Sequence, residues 1–268
     1  METKNTILSQ KELALLESVV IKYGKIVSFD QLKETFNHEY SIEELRNRIS
    51  LLSKKGWLLR IKRGLYIVIT DISTLGFSDV STYIIAQALN KESYISFENA
   101  LQYHSMFDQS LIAVSSVTAE RARIYRVGEN EVYRFSHAEE SLYFGFTQVS
   151  ISGKNVNMAE KEKALLDLLY FRHTSMTVDL VLEKLTDYKH RMDFEKLKDY
   201  ARKYSLSMVR EVGFLLDHIQ VDTSDIYDAR IKENSYSKIS RDADTFNAKW
   251  RLYYDNRFIT TGTTTSNK

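Results

Sequence analysis

The sequence predicts an α+β protein: an amino-terminal helical unit that ends in a β-hairpin, then an α+β domain with a small sheet and a helical carboxyl-terminal part. Three observations predict it. Apolar residues recur at three-and-four spacing between Ser9 and Leu52, and that pattern stops at Gly56. Short apolar or alternating runs, parted by Gly128, Asn130 and Gly153, fill positions 111–151. Helical spacing then returns from Met158 to Ile219.

The first helix is expected over Ser9 to Tyr23, with Ser9 as cap, Leu13, Leu16, Val20 and Tyr23 on the inner face, and Gly24 as its stop. A short second helix is expected over Ser28 to Phe36, capped by Ser28, with Leu32 and Phe36 inward. Ser41 and Glu44 have the S-x-x-E spacing of a capping box and open a third helix. Ile42, Leu45, Ile49 and Leu52 give it a buried stripe, leaving Glu43, Arg46, Asn47, Ser50 and Lys54 toward solvent. Lys54, Lys55 and Gly56 close it with cations and a residue that tolerates positive φ. Trp57 to Arg60 and Leu65 to Ile69 read as strands joined by the tip Ile61-Lys62-Arg63-Gly64. Trp57 is expected to pack beneath this hairpin.

Charge singles out the same stretch. Between Ser41 and Gly64, Arg46, Arg48, Lys54, Lys55, Arg60, Lys62 and Arg63 face only Glu43 and Glu44, whereas the whole chain carries a net charge of +1. Three helices followed by a basic hairpin make the order of a winged helix-turn-helix, whose third helix lies in the DNA major groove while the wing touches backbone. Arg46, Asn47 and Ser50 have the donors and acceptors that read base edges. Lys54, Lys55, Arg60, Lys62 and Arg63 suit phosphates, and Arg48 completes the expected DNA-binding set.

Turn formers at Asp71 to Asp79 mark a boundary between a DNA-binding domain (1–70) and an α+β domain (80–220). In the latter, helices are expected at Val80 to Asn90 and, capped by Ser96, up to His104. Strands are expected at Leu111 to Val117, Arg123 to Val127, Val132 to Phe135, Leu142 to Phe146 and Val149 to Ile151. Helices follow at Met158 to Phe171, Val178 to Lys189, Phe194 to Tyr204 (cap Asp193) and Met208 to Ile219 (cap Ser207). Positions 221–268 read as an extension with a late aromatic run, Trp250 to Phe258, and a disordered tail.

Composition narrows the function classes. The chain has 268 residues, 43% of them hydrophobic, enough for a core in each domain. It has no cysteine, so disulfides and thiolate metal sites are excluded. With no apolar leader in M-E-T-K-N-T-I-L-S-Q and no apolar run near the ~18 residues that span a bilayer, a cytoplasmic protein without a membrane partner is expected. Proline is absent, so turns rest on Gly, Asn, Asp and Ser.

His38, His104, His137, His173, His190 and His218 show no metal-ligand spacing, and His104 and His137 are read as structural donors or acceptors able to meet across the sheet. Asp242-Ala243-Asp244 reads as loop surface. No phosphate-cradling glycine loop or G-x-S-x-G elbow occurs, so neither enzyme activity nor a cofactor is expected. Arg121, Arg123, Arg126 and Arg134 form a second basic cluster, either a strand face laced with Glu120, Glu129 and Glu131 or a further nucleic-acid contact.

Four segments together resemble the AbiEi family, the winged-helix antitoxins of type IV abortive-infection toxin-antitoxin systems. They are Gly56-Trp57 to Tyr66 with its R-G-x-Y ending; Y-I-S-F-E-N-A-L-Q-Y-H at Tyr94 to His104; V-S-S-V-T-A-E-R-A-R at Val114 to Arg123; and Y-R-F-S-H at Tyr133 to His137 with A-E-K-E-K-A-L-L-D-L-L-Y at Ala159 to Tyr170. The family usually has proline just before the Glu162-Lys163 pair, where this chain has Lys161. The resemblance implies a repressor that binds its own operator DNA and a second domain that counteracts a nucleotidyltransferase-like toxin without necessarily binding it; self-association on DNA stays open, and a symmetric operator is expected if the protein binds as a pair. Two rival readings stay open: an enzyme acting on nucleic acid or nucleotides and delivered by the winged helix, or a plain repressor with a sensing domain.

Overall fold

The computed structural model describes residues 8–36, 39–71, 73, 79–128, 130–227, 231, 235–255 and 258. Its first unit is built from α1 (Gln10–Tyr23), β1 (Ile26–Ser28), α2 (Phe29–Phe36), α3 (Ile42–Lys55), β2 (Leu58–Lys62) and β3 (Leu65–Val68). The strands form an antiparallel sheet in the order β1-β3-β2, giving a winged helix-turn-helix. Each helix start has a local cause. Ser9 with Glu12 and Ser41 with Glu44 form reciprocal capping boxes. Ser28 Oγ likewise accepts from the Gln31 amide at 3.2 Å while Gln31 Oε1 accepts from the Ser28 amide at 2.8 Å. Gly56 ends α3 at φ 88°, in the left-handed region where a side chain is strained.

Two inner faces differ from expectation. Ile42 is 48% exposed, and the buried stripe of α3 is Leu45, Ile49 and Leu52. In α1 the buried residues are Glu12, Leu16 and Val19, while Leu13 is 46% exposed. Glu12 turns inward because it answers both Ser9 and Arg48, and this rotates the helix away from its purely apolar orientation.

The second unit places α4 (Thr82–Leu89), β4 (Ser93–Ile95), α5 (Phe97–Tyr103), β5 (Ala113–Thr118), β6 (Arg123–Val127), β7 (Glu131–His137), β8 (Phe146–Ile151) and β9 (Lys154–Ala159) before four helices. These are α6 (Lys161–Arg172), α7 (Ser175–Asp187), α8 (Phe194–Tyr204) and α9 (Leu206–His218). Its six-stranded sheet runs β6-β7-β5-β4-β9-β8, with β4–β9 and β5–β7 parallel. The strand expected at Leu142 to Phe146 is instead a 3-10 turn, Glu140–Leu142, leading into β8 at Phe146. The helix expected from Met158 starts at Lys161, because Met158 and Ala159 pair in β9 and Glu160 is extended at φ −64°, ψ 156°. Ser205, not Ser207, caps α9, accepting from the Met208 amide at 3.2 Å.

The carboxyl-terminal stretch is folded where it is described. β10 (Ser237–Lys238), β11 (Thr245–Asn247) and β12 (Leu252–Tyr254) make a small sheet against α9. Trp250 is fully buried there, its indole N–H donating to Asp217 Oδ2 at 2.6 Å. A Cβ on Gly213 would stand 2.2 Å from the Trp250 ring, so α9 needs glycine at that crossing. The expected disordered tail, 260–268, lies outside the described residues.

The hairpin sheet serves two cores. Val27, Leu58 and Val68 face the helices of the first unit. Ile61, Ile67 and Ile69 join the larger core, with Ile85 and Leu89 of α4 and Tyr133 of β7. A register shift between Arg60 and Lys62 places Ile61 at an irregularity of β2, and Ile61 is 3% exposed. Of the boundary expected at 71–79, residues 72 and 74–78 lie outside the described set.

Candidate nucleic-acid interface

Arg46, Ser50, Ser53 and Lys54 recur at helical spacing on the solvent side of α3, and Arg60 stands across from them on β2. With Phe29, Ile49 and Tyr66 they line one groove of about 490 Å3 between the helix and the hairpin. Arg60 is registered opposite Tyr66, so the phenol and the guanidinium share a rung of the ladder. The Gly64 carbonyl, at a tip residue with φ 73°, accepts from the Phe29 amide at 2.8 Å and fixes the hairpin against α2. The result is three cations and three hydroxyls along a single concave strip. Such a strip can neutralise phosphates while presenting donors to base edges.

The other expected site residues lie elsewhere. Asn47 and Arg63 are exposed beside the groove and at the hairpin tip, and Lys55 is half-buried at the end of α3. Arg48 points back to α1, where its guanidinium donates to Glu12 Oε1 at 2.8 Å and lies over the Tyr40 ring. Burial alone would push the Glu12 carboxyl up, yet the Ser9 amide and hydroxyl and the Arg48 charge outweigh it and hold it below the usual value. Lys62 turns away from the groove: its ammonium donates to the Leu89 carbonyl at 2.7 Å. Both partners are distant in sequence, 36 and 27 residues away, so no local pattern announces them. Phe29, Ser53 and Tyr66 were not expected at the groove, and the helical spacing of Ser53 from Arg46 and Ser50 is the signal that points to it.

The second basic cluster is split by strand alternation. Arg126 and Arg134 are exposed on the face shared with Ile124, which stands opposite Arg134. Arg123 lies on the other face, its guanidinium donating to Tyr125 Oη at 3.0 Å. Arg121 precedes β6 and is exposed. His104 and His137 do not bond one another: His104 Nε2 is 2.8 Å from the Ala159 carbonyl and His137 Nδ1 is 2.9 Å from that of Glu120. Asp242 and Asp244 are exposed, and among the described residues no group of three or more His, Asp or Glu could hold a metal ion. Among the same residues no helix is long and apolar enough to cross a membrane.

Two of the sequence segments meet away from this groove. Asp167 of α6, fully buried, accepts from Lys163 Nζ and Tyr204 Oη at 2.6 Å each and from Ser96 Oγ at 2.6 Å. Tyr94 Oη adds a bond of 3.2 Å. Ser96 thus spends its hydroxyl on Asp167 and makes no side-chain cap bond to α5, contrary to expectation. Burial pushes the Tyr94 and Tyr204 phenols well up, reinforced by the Asp167 charge, and pulls the Lys163 ammonium down against the attraction of Asp167. Tyr94, Ser96, Lys163 and Asp167 are buried and Tyr204 is half-buried beside them, which makes this a structural hub joining β4, α6 and α8.

No family model matches the chain, and no curated protein matches it. Among solved structures the fold is similar to that of the RV2827C protein from Mycobacterium tuberculosis, with a TM-score of 0.63 over 94% of each chain at 9% sequence identity. At that identity the likeness describes the fold: an α+β chain with helices first and the sheet-containing unit after them.

Proposed function

We propose that this protein is a DNA-binding repressor that grips operator DNA with the groove between α3 and the β2–β3 hairpin. The observation that carries the reading is the convergence of Arg46, Lys54 and Arg60 with Ser50 and Ser53 on that one strip. Arg46, Asn47 and Ser50 read base edges from α3, while Lys54, Arg60 and Arg63 hold phosphates. The sequence segments resembling the AbiEi family extend the proposal: the protein is the cytoplasmic antitoxin of a type IV system, repressing its own operon and opposing a nucleotidyltransferase-like toxin through its second domain. No catalytic role is assigned to any residue.

Gel shifts on the DNA upstream of the gene, at two salt concentrations, test the first part. Specific binding that weakens steeply with salt and is lost in Arg46→Ala/Lys54→Ala/Arg60→Ala supports it, and salt-insensitive or variant-insensitive binding overturns it. Co-expression with the toxin of the adjacent reading frame tests the second, with restored growth as the expected result.

A further inference from the structure

A second cleft, of about 520 Å3, lies on the opposite side of the hairpin sheet, where the end of α1 and β1 meet α4 and the β8–β9 turn. Its floor is apolar. Ile84 and Ala88 line it one turn apart on α4, Val80 adds to it just before that helix, and Ile26 closes it from β1. The volume is that of a small-molecule site rather than a packing defect.

Positive charge surrounds this floor. Lys25 stands at the mouth, paired with Asp79. Lys91 follows the carboxyl end of α4, and Lys154 follows a turn whose two residues, Ser152 and Gly153, have φ of 47° and 73°. That turn carries Lys154 across to α1, its Nζ 3.5 Å from where a Cβ on Gly24 would stand. Of the three lysines, Lys25 is the one with a carboxylate partner among the described residues. Ser81, at the amino end of α4, also lines the cleft and makes no side-chain cap bond, so a hydroxyl and the positive pole of the helix face the same space.

We infer that this cleft binds a free small-molecule anion with an apolar body: a carboxylate, sulfonate or phosphate ester on an aromatic or alkyl frame. The frame lies on Ile84 and Ala88, and the acid group meets Lys91 and Lys154. An uncharged molecule of the same shape gains the burial without the ion pairs, and a compact inorganic anion gains the reverse. The inference does not rest on DNA binding.

The probe is 8-anilinonaphthalene-1-sulfonate, titrated by fluorescence against the full chain without DNA, with neutral N-phenyl-1-naphthylamine as the matched ring frame lacking the sulfonate. Saturable binding of the sulfonate is expected, weakened roughly tenfold or more in Lys91→Ala/Lys154→Ala and restored in Lys91→Arg/Lys154→Arg, while the neutral amine binds both proteins alike. Both lysines are exposed, and an unchanged melting curve of the alanine variant separates lost binding from lost folding. Equal sulfonate affinity in wild type and the alanine variant overturns the proposal. So does co-sedimentation with anionic phospholipid vesicles that the alanine variant abolishes, since the lysines would then serve a membrane surface.

Discussion

The Lys62 ammonium donates to the Leu89 carbonyl, at the last residue of α4, so a cation from the hairpin tip closes a helix of the other unit. A helix end presents unpaired carbonyls and partial negative charge, and a lysine there answers both. Lys62→Ala is therefore expected to cost about 1–2 kcal/mol of stability in urea titrations while leaving the salt dependence of DNA binding unchanged. Arg60→Ala, on the groove side of the same strand, is expected to lower that salt slope by about one. A slope that falls in Lys62→Ala with unchanged stability would return Lys62 to the DNA face.

On α3 the roles separate by sequence dependence. Arg46→Ala is expected to weaken binding to the specific site by about 1–3 kcal/mol and to relax preference at one base pair. Lys54→Ala is expected to weaken every DNA sequence to a similar degree. Competition gel shifts with single-base operator variants check this, and a uniform loss from both substitutions would remove the distinction.

Asp167 is the acceptor on which four side chains depend. Asp167→Ala leaves the Lys163 ammonium buried without its carboxylate partner and is expected to cost about 3–5 kcal/mol. Tyr204→Phe removes two bonds, the one donated to Asp167 and the one accepted from Lys163, and is expected to cost about 1–3 kcal/mol. Chemical denaturation of both variants gives the ranking, and a Tyr204 loss equal to that of Asp167 would contradict it.

Trp250 and Gly213 are one packing unit. Trp250→Ala is expected to cost about 3–5 kcal/mol through the cavity it opens. Gly213→Ala drives a methyl into the ring and destabilises the wild type, yet costs little once Trp250 has become alanine. Additive losses in this cycle would argue against the contact.

His173 bonds Glu211 Oε1 at 3.0 Å, and that bond raises the imidazole above its ordinary value although partial burial opposes it. Its stabilising contribution is therefore complete below the unfolded value, about 6.5, and disappears as pH rises through the higher folded value. The ring is 43% exposed, so solvent screening limits the effect to about 0.5 kcal/mol. His173→Asn suits the left-handed backbone at φ 39° and removes the titration. The stability gap between the two proteins is expected to shrink from pH 6 to pH 9.

Local chemistry made much of this fold readable. The Ser9 cap, the S-x-x-E box at Ser41, the Gly56 stop and the Asp193 cap are each set by atoms within a few residues, and the structure has all of them. β1 and β4 escaped because each is three residues long, and β4 is buried throughout, so neither has an alternation to display. β9 was hidden by continuity, since only Glu160 parts its apolar end, Met158 and Ala159, from α6. At the groove, charge and helical period placed Arg46, Ser50 and Lys54 together. They could not separate Arg48 and Lys62 from the rest, since Glu12 and Leu89 claim those cations through tertiary contacts.

Because the β1-β3-β2 sheet is coated by apolar side chains on both faces, it works as a party wall between neighbouring houses. Cutting the chain near residue 70 would lay Ile61, Ile67 and Ile69 open to water, so the segment that carries the groove is not a transplantable module. Reporter fusions and domain swaps built on a 1–70 fragment would inherit a sticky, half-finished surface, and the seam for such engineering lies beyond the second unit rather than between the two.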